Sequence, residues 1–244
     1  MIFAFVLFFA GTAIFLYYLG TAQFFSILFP QVYTPTPKAE TVAILISGGS
    51  NGIGKDAALK LVEKNFTVLA GVRKQSDADR LKAEAKFPEK MIPVFLDVTK
   101  PEDLESAIQT TLSVCKEKKL SFYGIVLAAG ISGHLVPAEM NPELRNVLEV
   151  NFFGNVSLTQ LALPYLRQVK GSRIVVISSV AGIFPTGLMS SYCSSKFALE
   201  GFYNSLRREL YGRDISVSII NAGAIRTDIW NSIQDSTLME NHLQ

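Results

Sequence analysis

Charge is what the beginning of this chain lacks, because no Asp, Glu, Lys or Arg occurs before Lys38. Residues 1–29 are almost wholly apolar, and about 20 apolar residues are enough to cross a bilayer as a helix. A cleaved signal peptide fits less well, because the run has no basic start and is longer than the usual apolar stretch. The sequence therefore predicts a membrane anchor over residues 1–29. A short, stiff linker over residues 30–40 follows, with Pro30, Pro35 and Pro37.

Cysteine and histidine are also scarce, with two of each in 244 residues. Cys115 and Cys193 make neither a disulfide framework nor a metal-ligand spacing, and His134 and His242 stand alone, so we expect no metal site. The formal net charge is only +2, and the sequence contains no basic or acidic run. Both observations argue against a nucleic-acid surface. Lys38 follows the apolar segment, and the positive-inside tendency then favours a cytosolic position for the rest of the chain.

From residue 41 onward, short apolar strands alternate with helical segments. The predicted strands are Val42–Ser47, Thr67–Val72, Met91–Leu96, Gly124–Ala128, Arg173–Ser178 and Ile215–Ile220. The predicted helices lie near Ile53–Lys64, Asp77–Lys86, Pro101–Lys118, Pro142–Val169 and Ser191–Tyr211. Strands that are apolar throughout and alternate with helices indicate a parallel sheet covered on both faces. We therefore expect an α/β fold over residues 41–244, a Rossmann-like doubly wound sheet with its ligand at the carboxyl ends of the strands.

A glycine-rich turn joins the first strand to the first helix. It has the spacing Gly-x-x-x-Gly-x-Gly and lies where a dinucleotide pyrophosphate would meet the N-terminus of the helix. Glycines at this point let the backbone turn tightly and approach the phosphates. The residues expected to contact the cofactor are Gly48, Ser50, Asn51, Gly52, Ile53 and Gly54.

Two cations follow the second strand, where a dinucleotide fold contacts the adenosine ribose. Arg73 and Lys74 suit a 2′-phosphate, whereas a carboxylate would suit a 2′-hydroxyl, so we expect NADP(H) rather than NAD(H). Lys55 adds to the positive field. Asp97, after the third strand, either accepts from the adenine amino group or caps the helix that begins near Pro101.

Tyr192 and Lys196 are four residues apart on a predicted helix and share one face. A phenol is a useful acid or base near neutral pH only if its pKa falls from about 10, and a neighbouring ammonium group lowers it. Ser179, at the end of an apolar strand, is placed to orient a carbonyl or alcohol oxygen. Asn151 lies in a long helix among apolar neighbours, where we expect it to hold a water that extends a proton path from Lys196. The pattern predicts a proton-transfer site for the interconversion of an alcohol and its carbonyl compound.

Taken together in their order along the chain, these motifs resemble those of the short-chain dehydrogenase/reductase family over about residues 42–230. The resemblance rests on Gly48, Gly52, Gly54, Asp97, Ala129, Gly130, Asn151, Ser179, Tyr192, Lys196 and Thr227. It implies a catalytic tetrad of Asn151, Ser179, Tyr192 and Lys196, with Lys196 also binding the nicotinamide ribose. It further implies cofactor contacts from Val98, Ala129 and Gly130, and from Ile225 and Thr227 to the nicotinamide carboxamide. A homodimer is implied as well.

The segment from Tyr192 to Gly201 and the apolar N-terminus resemble the membrane-anchored retinol and hydroxysteroid dehydrogenase branch. The resemblance implies a lipophilic substrate and an endoplasmic reticulum membrane. Ala128 stands where the family has an asparagine, which removes a side chain that braces the sheet. Family members continue past Thr227 with a lid, a helix and a strand, so we expect a domain shortened at its C-terminus. A long-chain keto-lipid reductase and a truncated, non-enzymatic membrane protein remain as alternatives.

Overall fold

Six parallel strands form one sheet in the order β3-β2-β1-β4-β5-β6 in the computed structural model, which describes residues 37–225, 227 and 229. The strands are β1 (Val42–Ser47), β2 (Thr67–Val72), β3 (Met91–Phe95), β4 (Ser121–Leu127), β5 (Ser172–Ser179) and β6 (Ile215–Ala222). Every neighbouring pair runs parallel. The predicted Rossmann-like α/β fold is therefore confirmed.

Helices connect these strands, as the parallel pairing requires. They are α1 (Gly52–Glu63), α2 (Gln75–Glu84), α3 (Pro101–Lys118), α4 (Leu144–Leu148), α5 (Asn155–Leu166) and α6 (Ser190–Glu209). Short 3₁₀ turns occur at Ala39–Thr41, Pro88–Lys90, Ala138–Met140 and Val180–Gly182. The chain runs outward from β1 to β3 and then returns to β4, so the crevice between the carboxyl ends of β1 and β4 is the expected ligand position.

The sheet is covered on both faces, because the side chains of β1 alternate between them. Ala43 and Leu45 pack into a core that also contains residues of α3, α5 and α6. Ile44 and Ile46 pack into a second core with residues of α1 and α2. All six residues of β1 are buried, which explains why the strand reads as an unbroken apolar run.

The long helix predicted over Pro142–Val169 is wrong in one respect, because the structure divides it. A six-residue π-helix, Glu149–Gly154, separates α4 from α5. The glycine at its end has a packing reason: a Cβ on Gly154 would lie 2.6 Å from the carbonyl oxygen of Val98. Insertions of this kind are frequent at functional sites, and this one contains Asn151.

The limits of β4 also differ from the prediction. Pairing with β1 begins at Ser121, three residues before the predicted start at Gly124, and the strand ends at Leu127 rather than Ala128.

The predicted membrane anchor and residues 30–36 of the linker lie outside the described residues. Across the residues that the structure describes, no helix combines the length and apolarity needed to span a membrane.

Candidate active site

One cavity of about 440 Å³ opens at the carboxyl ends of the strands, where the fold predicts a ligand. Most residues that the sequence assigns to a site line it: Gly48, Ser50, Asn51, Gly52, Ile53, Gly54, Arg73, Asp97, Val98, Ala129, Gly130, Ser179, Tyr192, Lys196, Ile225 and Thr227. Lys74 and Asn151 do not line it. Their roles, like those of the other site residues, stay predictions.

The glycine-rich turn has no room for side chains at two of its positions. A Cβ on Gly54 would lie 2.2 Å from the carbonyl oxygen of Gly48, and a Cβ on Gly48 would lie 2.7 Å from the nitrogen of Ala129. Gly48 also has a φ of +68°, which favours glycine. Within the described residues, the side chain of Asn51 does not cap α1, so the first N–H groups of this helix remain available at the cavity wall. This tight turn and its backbone donors fit a pyrophosphate.

Arg73 is a cation in the cavity wall, close enough to Asp97 to affect its pKa. Partial burial by itself raises the pKa of Asp97, but hydrogen bonds from Thr99 and the charge of Arg73 outweigh it, so this pKa is lowered. Asp97 Oδ1 accepts from the Thr99 nitrogen at 3.1 Å and from its hydroxyl at 2.8 Å. Asp97 therefore stabilises its own loop rather than capping α3, whose N-cap is Lys100.

The field expected from Lys55 is largely neutralised. Lys55 Nζ lies 2.7 Å from Glu84 Oε2, so its ammonium group serves an ion pair between α1 and α2. Lys74 starts α2 as its N-cap residue and lies outside the cavity wall. Of Lys55, Arg73 and Lys74, only Arg73 lines the cavity.

Tyr192, Ser179 and Lys196 meet in the cavity wall. Ser179 is close enough to the phenol to lower its pKa, and Lys196 Nζ lies 5.5 Å from the centroid of the Tyr192 ring. Lys196 is buried and donates to the carbonyl oxygen of Ile177 at 3.0 Å. The end of β5 and the first turns of α6 bring the three groups together, as their spacing predicts.

The electrostatics of this cluster differ from the expectation. Burial raises the pKa of Tyr192, and the hydrogen bond with Ser179 offsets only part of the rise. Burial also lowers the pKa of Lys196 to about 8, against the opposing effect of Glu200. The spacing of the two side chains indicates their attraction but not the cost of removing each charge from water, and this cost dominates at this depth.

Asn151 lies behind the cavity wall and is fully buried. Its amide exchanges two hydrogen bonds with the backbone of Ile131, accepting at 2.8 Å and donating at 2.9 Å. It also donates to Ser195 Oγ at 2.9 Å. Because Ile131 lines the cavity and Ser195 lies on α6 beside Lys196, Asn151 ties the loop after β4 to the helix that carries the proton-transfer groups.

The bracing lost with the family's asparagine at Ala128 is supplied by two other side chains. Ser47 Oγ accepts from the nitrogens of Ala128 and Ala129 at 3.2 Å each, and it donates to Asn155 Oδ1 at 3.1 Å. Asn155 Nδ2 in turn donates to the carbonyl of Ala129 at 3.0 Å. Sequence reasoning assigned no role to Asn155. Its position four residues after Asn151, on the same helix face, was the signal that could have shown it.

Sequence reasoning also missed a carboxylate in the cavity wall. Glu143 Oε2 accepts from the nitrogen of His134 at 3.1 Å and lies 3.6 Å from its Nε2. A Cβ on Gly133, whose φ is +68°, would lie 3.4 Å from this oxygen and 3.3 Å from Ser191 Oγ, next to Tyr192. The acid therefore lies in the cavity wall near Ser191, the residue before Tyr192, and no motif pointed to it.

Comparison with known proteins gives consistent results. The family described as short chain dehydrogenase matches residues 42–237. Retinol dehydrogenase 16 of Rattus norvegicus is 36% identical over 194 residues, 78% of this chain and 59% of that protein. Estradiol 17-beta-dehydrogenase 2 of Mus musculus is 32% identical over 207 residues, 80% of this chain and 53% of that protein. The chain thus spans less than two thirds of these relatives.

A solved structure supports the same assignment. The short-chain dehydrogenase from Streptomyces avermitilis superposes with a TM-score of 0.70 at 29% identity, over 78% of this chain and 68% of that one. The family match, the relatives named for retinol and estradiol, and this fold agree with the resemblance that the motifs carry. The chain belongs to the short-chain dehydrogenase family.

Proposed function

We propose that this protein is an NADP(H)-dependent oxidoreductase that interconverts a lipophilic alcohol and its carbonyl compound. The observation that carries the proposal is that Ser179, Tyr192 and buried Lys196 lie together in the wall of the cavity that the glycine-rich turn also lines. A proton donor, a group that orients an oxygen and a nucleotide turn are the parts that such a reaction needs.

The cofactor assignment rests on the chemistry of the cavity wall. The tight turn and open N-terminus of α1 suit a pyrophosphate, and Arg73 supplies a cation at the ribose end. Ile225 and Thr227 would contact the carboxamide at the other end. The bound nicotinamide would supply or accept the hydride, which is the chemistry that no side chain here can provide.

In the direction of reduction, the substrate carbonyl oxygen lies between Ser179 and Tyr192. Ser179 donates a hydrogen bond to this oxygen and keeps the carbonyl in place. Tyr192 gives up its phenolic proton as negative charge develops on the oxygen, and the proton completes the alcohol. Lys196, as an ammonium group close to the ring, stabilises the phenolate that remains. Oxidation reverses each transfer, with Tyr192 as the base.

A lipophilic substrate is favoured by two features of this chain. Apolar residues follow Ser179 in the loop toward α6, and Val180, Ile183, Phe184 and Leu188 of this loop are exposed. The apolar residues 1–29 would place the protein at a membrane, which we propose to be that of the endoplasmic reticulum, with the domain in the cytosol. The relatives named for retinol and estradiol agree with a substrate that dissolves in lipid. The implied homodimer remains part of the proposal.

The test is Tyr192→Phe in the detergent-solubilised full chain, with NADPH oxidation measured against retinoid and steroid carbonyl compounds. Loss of a positioned general acid typically costs about 10²- to 10⁴-fold in rate, so the turnover rate should fall by a factor in this range. NADPH binding, read by calorimetry, should change little. Tyr211→Phe, at an exposed tyrosine, is the matched control. Undiminished turnover in Tyr192→Phe would refute the mechanism, and failure of the folded wild type to bind NADPH would refute the function.

A further inference from the structure

Arg80 reaches from α2 to the glycine-rich turn, and no motif pointed to it. Its Nη2 donates to the carbonyl oxygen of Ser50 at 2.9 Å and to Asn51 Oδ1 at 3.1 Å. The same nitrogen lies 2.7 Å from Asp77 Oδ1, one turn earlier on α2. Ser50 and Asn51 both line the cavity, so Arg80 supports its wall from outside.

These contacts decide which atoms of the turn remain for a ligand. An asparagine amide has one acceptor atom and one donor group, and the acceptor of Asn51 is directed at Arg80. The NH₂ group is the part of this side chain that remains for the cavity. The carbonyl of Ser50 is likewise engaged by Arg80. The glycine-rich turn therefore directs two acceptor oxygens toward the Arg80 guanidinium, and the Asn51 NH₂ group is the donor that it leaves for the cavity.

A phosphate group selects donors and cations, because its oxygens only accept hydrogen bonds when it is ionised. Arg73 lines the same cavity and its charge reaches Asp97, at the adenosine end. Lys74 lies outside the wall and Lys55 is paired with Glu84, so the second cation expected from the sequence is lacking there. An NH₂ group from Asn51 would complement Arg73.

We propose that Arg80 is a positioning residue for the ribose 2′-phosphate: it fixes the orientation of the Asn51 amide, and the preference of the cavity for NADP(H) over NAD(H) depends on it. The inference rests on the proposed cofactor use. Asp77 completes the arrangement, because it aligns the guanidinium that spans the two elements. A lysine here would keep the charge, but its side chain is shorter than that of arginine and reaches less far toward the turn.

The test is calorimetric titration of the full chain in detergent with NADPH and with NADH, which needs no turnover. Arg80→Met should weaken NADPH binding by roughly tenfold or more and NADH binding by less than about threefold, since a lost charge-assisted hydrogen bond is worth about tenfold in affinity. Arg80→Lys should give an intermediate loss for NADPH. Lys82→Met removes the same charge from an exposed position of the same helix and should leave both affinities unchanged.

A double-mutant cycle tests the route through Asn51. Arg80→Met and Asn51→Ala should be non-additive for NADPH, because the first change removes what orients the second residue. Equal weakening of NADPH and NADH, no weakening, or full additivity would each overturn the inference. If Arg80→Met fails to fold, judged by circular dichroism, Asp77→Asn provides the second variant and should lower NADPH affinity selectively. Wild type that binds neither cofactor would instead overturn the proposed function, and this inference with it.

Discussion

Replacing Lys196 by methionine should stabilise the protein at neutral pH while it removes the proposed activity. Burial lowers the pKa of Lys196 from 10.5 to about 8. In the unfolded chain the ammonium group is in water, so keeping it charged in the folded state costs about 3 kcal/mol at pH 7. Methionine has a similar length and carries no charge. It leaves the carbonyl of Ile177 without its donor, which costs about 1–2 kcal/mol. The net gain at pH 7 is then about 1–2 kcal/mol.

The pH dependence gives the prediction its sign. Because the pKa of Lys196 is lower in the folded than in the unfolded state, the unfolded chain binds more protons between about pH 8 and 10.5. The contribution of Lys196 to stability therefore rises with pH through this window. By pH 9.5 the cost of the buried Lys196 ammonium group falls to about 1 kcal/mol. The free energy of unfolding of the wild type should therefore rise by about 2 kcal/mol relative to that of the variant between pH 7 and 9.5.

Urea unfolding of the full chain in mild detergent, followed by far-UV circular dichroism, measures this difference. The variant should be the more stable at pH 7 and lose that advantage by pH 9.5. Lys118→Met, at an exposed position, is the control and should run parallel to the wild type. Parallel curves for Lys196→Met would refute the argument, because they would mean that Lys196 does not change its proton affinity on folding.

Four smaller predictions concern the glycine-rich turn and the helices packed near the cavity. Gly54→Ala places a Cβ on the carbonyl of Gly48 and should weaken NADPH binding at least tenfold by calorimetry; Gly201→Ala, whose Cβ meets no atom within 4 Å among the described residues, should instead add about 0.5–1 kcal/mol of stability. Asn155→Asp puts a buried carboxylate against carbonyl oxygens and should cost about 3 kcal/mol or more in urea unfolding, and a neutral result would contradict the hydrogen-bond assignment. Tyr203→Phe removes a buried hydroxyl that bonds Thr159 and should cost about 1–2 kcal/mol.

The sheet could be predicted from sequence because its strands are apolar on both faces. The limits of β1 and β2 agree with the prediction to the residue, since a parallel strand buried on both sides reads as an unbroken apolar run. The region around Asn151 could not be predicted in the same way. A π-helix has the composition of an α-helix, and the side-chain bonds of Asn151 to Ile131 that accompany it are contacts across the fold.

The candidate site likewise has features that could be predicted from sequence and features that could not. Tyr192, Lys196 and Ser179 could be predicted because helix spacing and the end of a strand determine their meeting. Their pKa values could not, because desolvation depends on burial, and burial depends on the whole fold. Arg80 escaped notice for a related reason: its partner Ser50 lies 30 residues away along the chain, and the contact is between a side chain and a backbone carbonyl.

A continuous chain of buried hydrogen bonds links the end of β1, directly before the glycine-rich turn, to the proposed proton donor. Ser47, at the end of β1, donates to Asn155, whose amide donates to the carbonyl of Asn151 at 2.9 Å. Asn151 donates to Ser195, and Ser195 Oγ donates to the backbone carbonyl of Tyr192 at 2.7 Å. Buried networks in which each member is satisfied restrict the groups that they join to one arrangement. This network fixes the end of β1 and the start of α6 to each other.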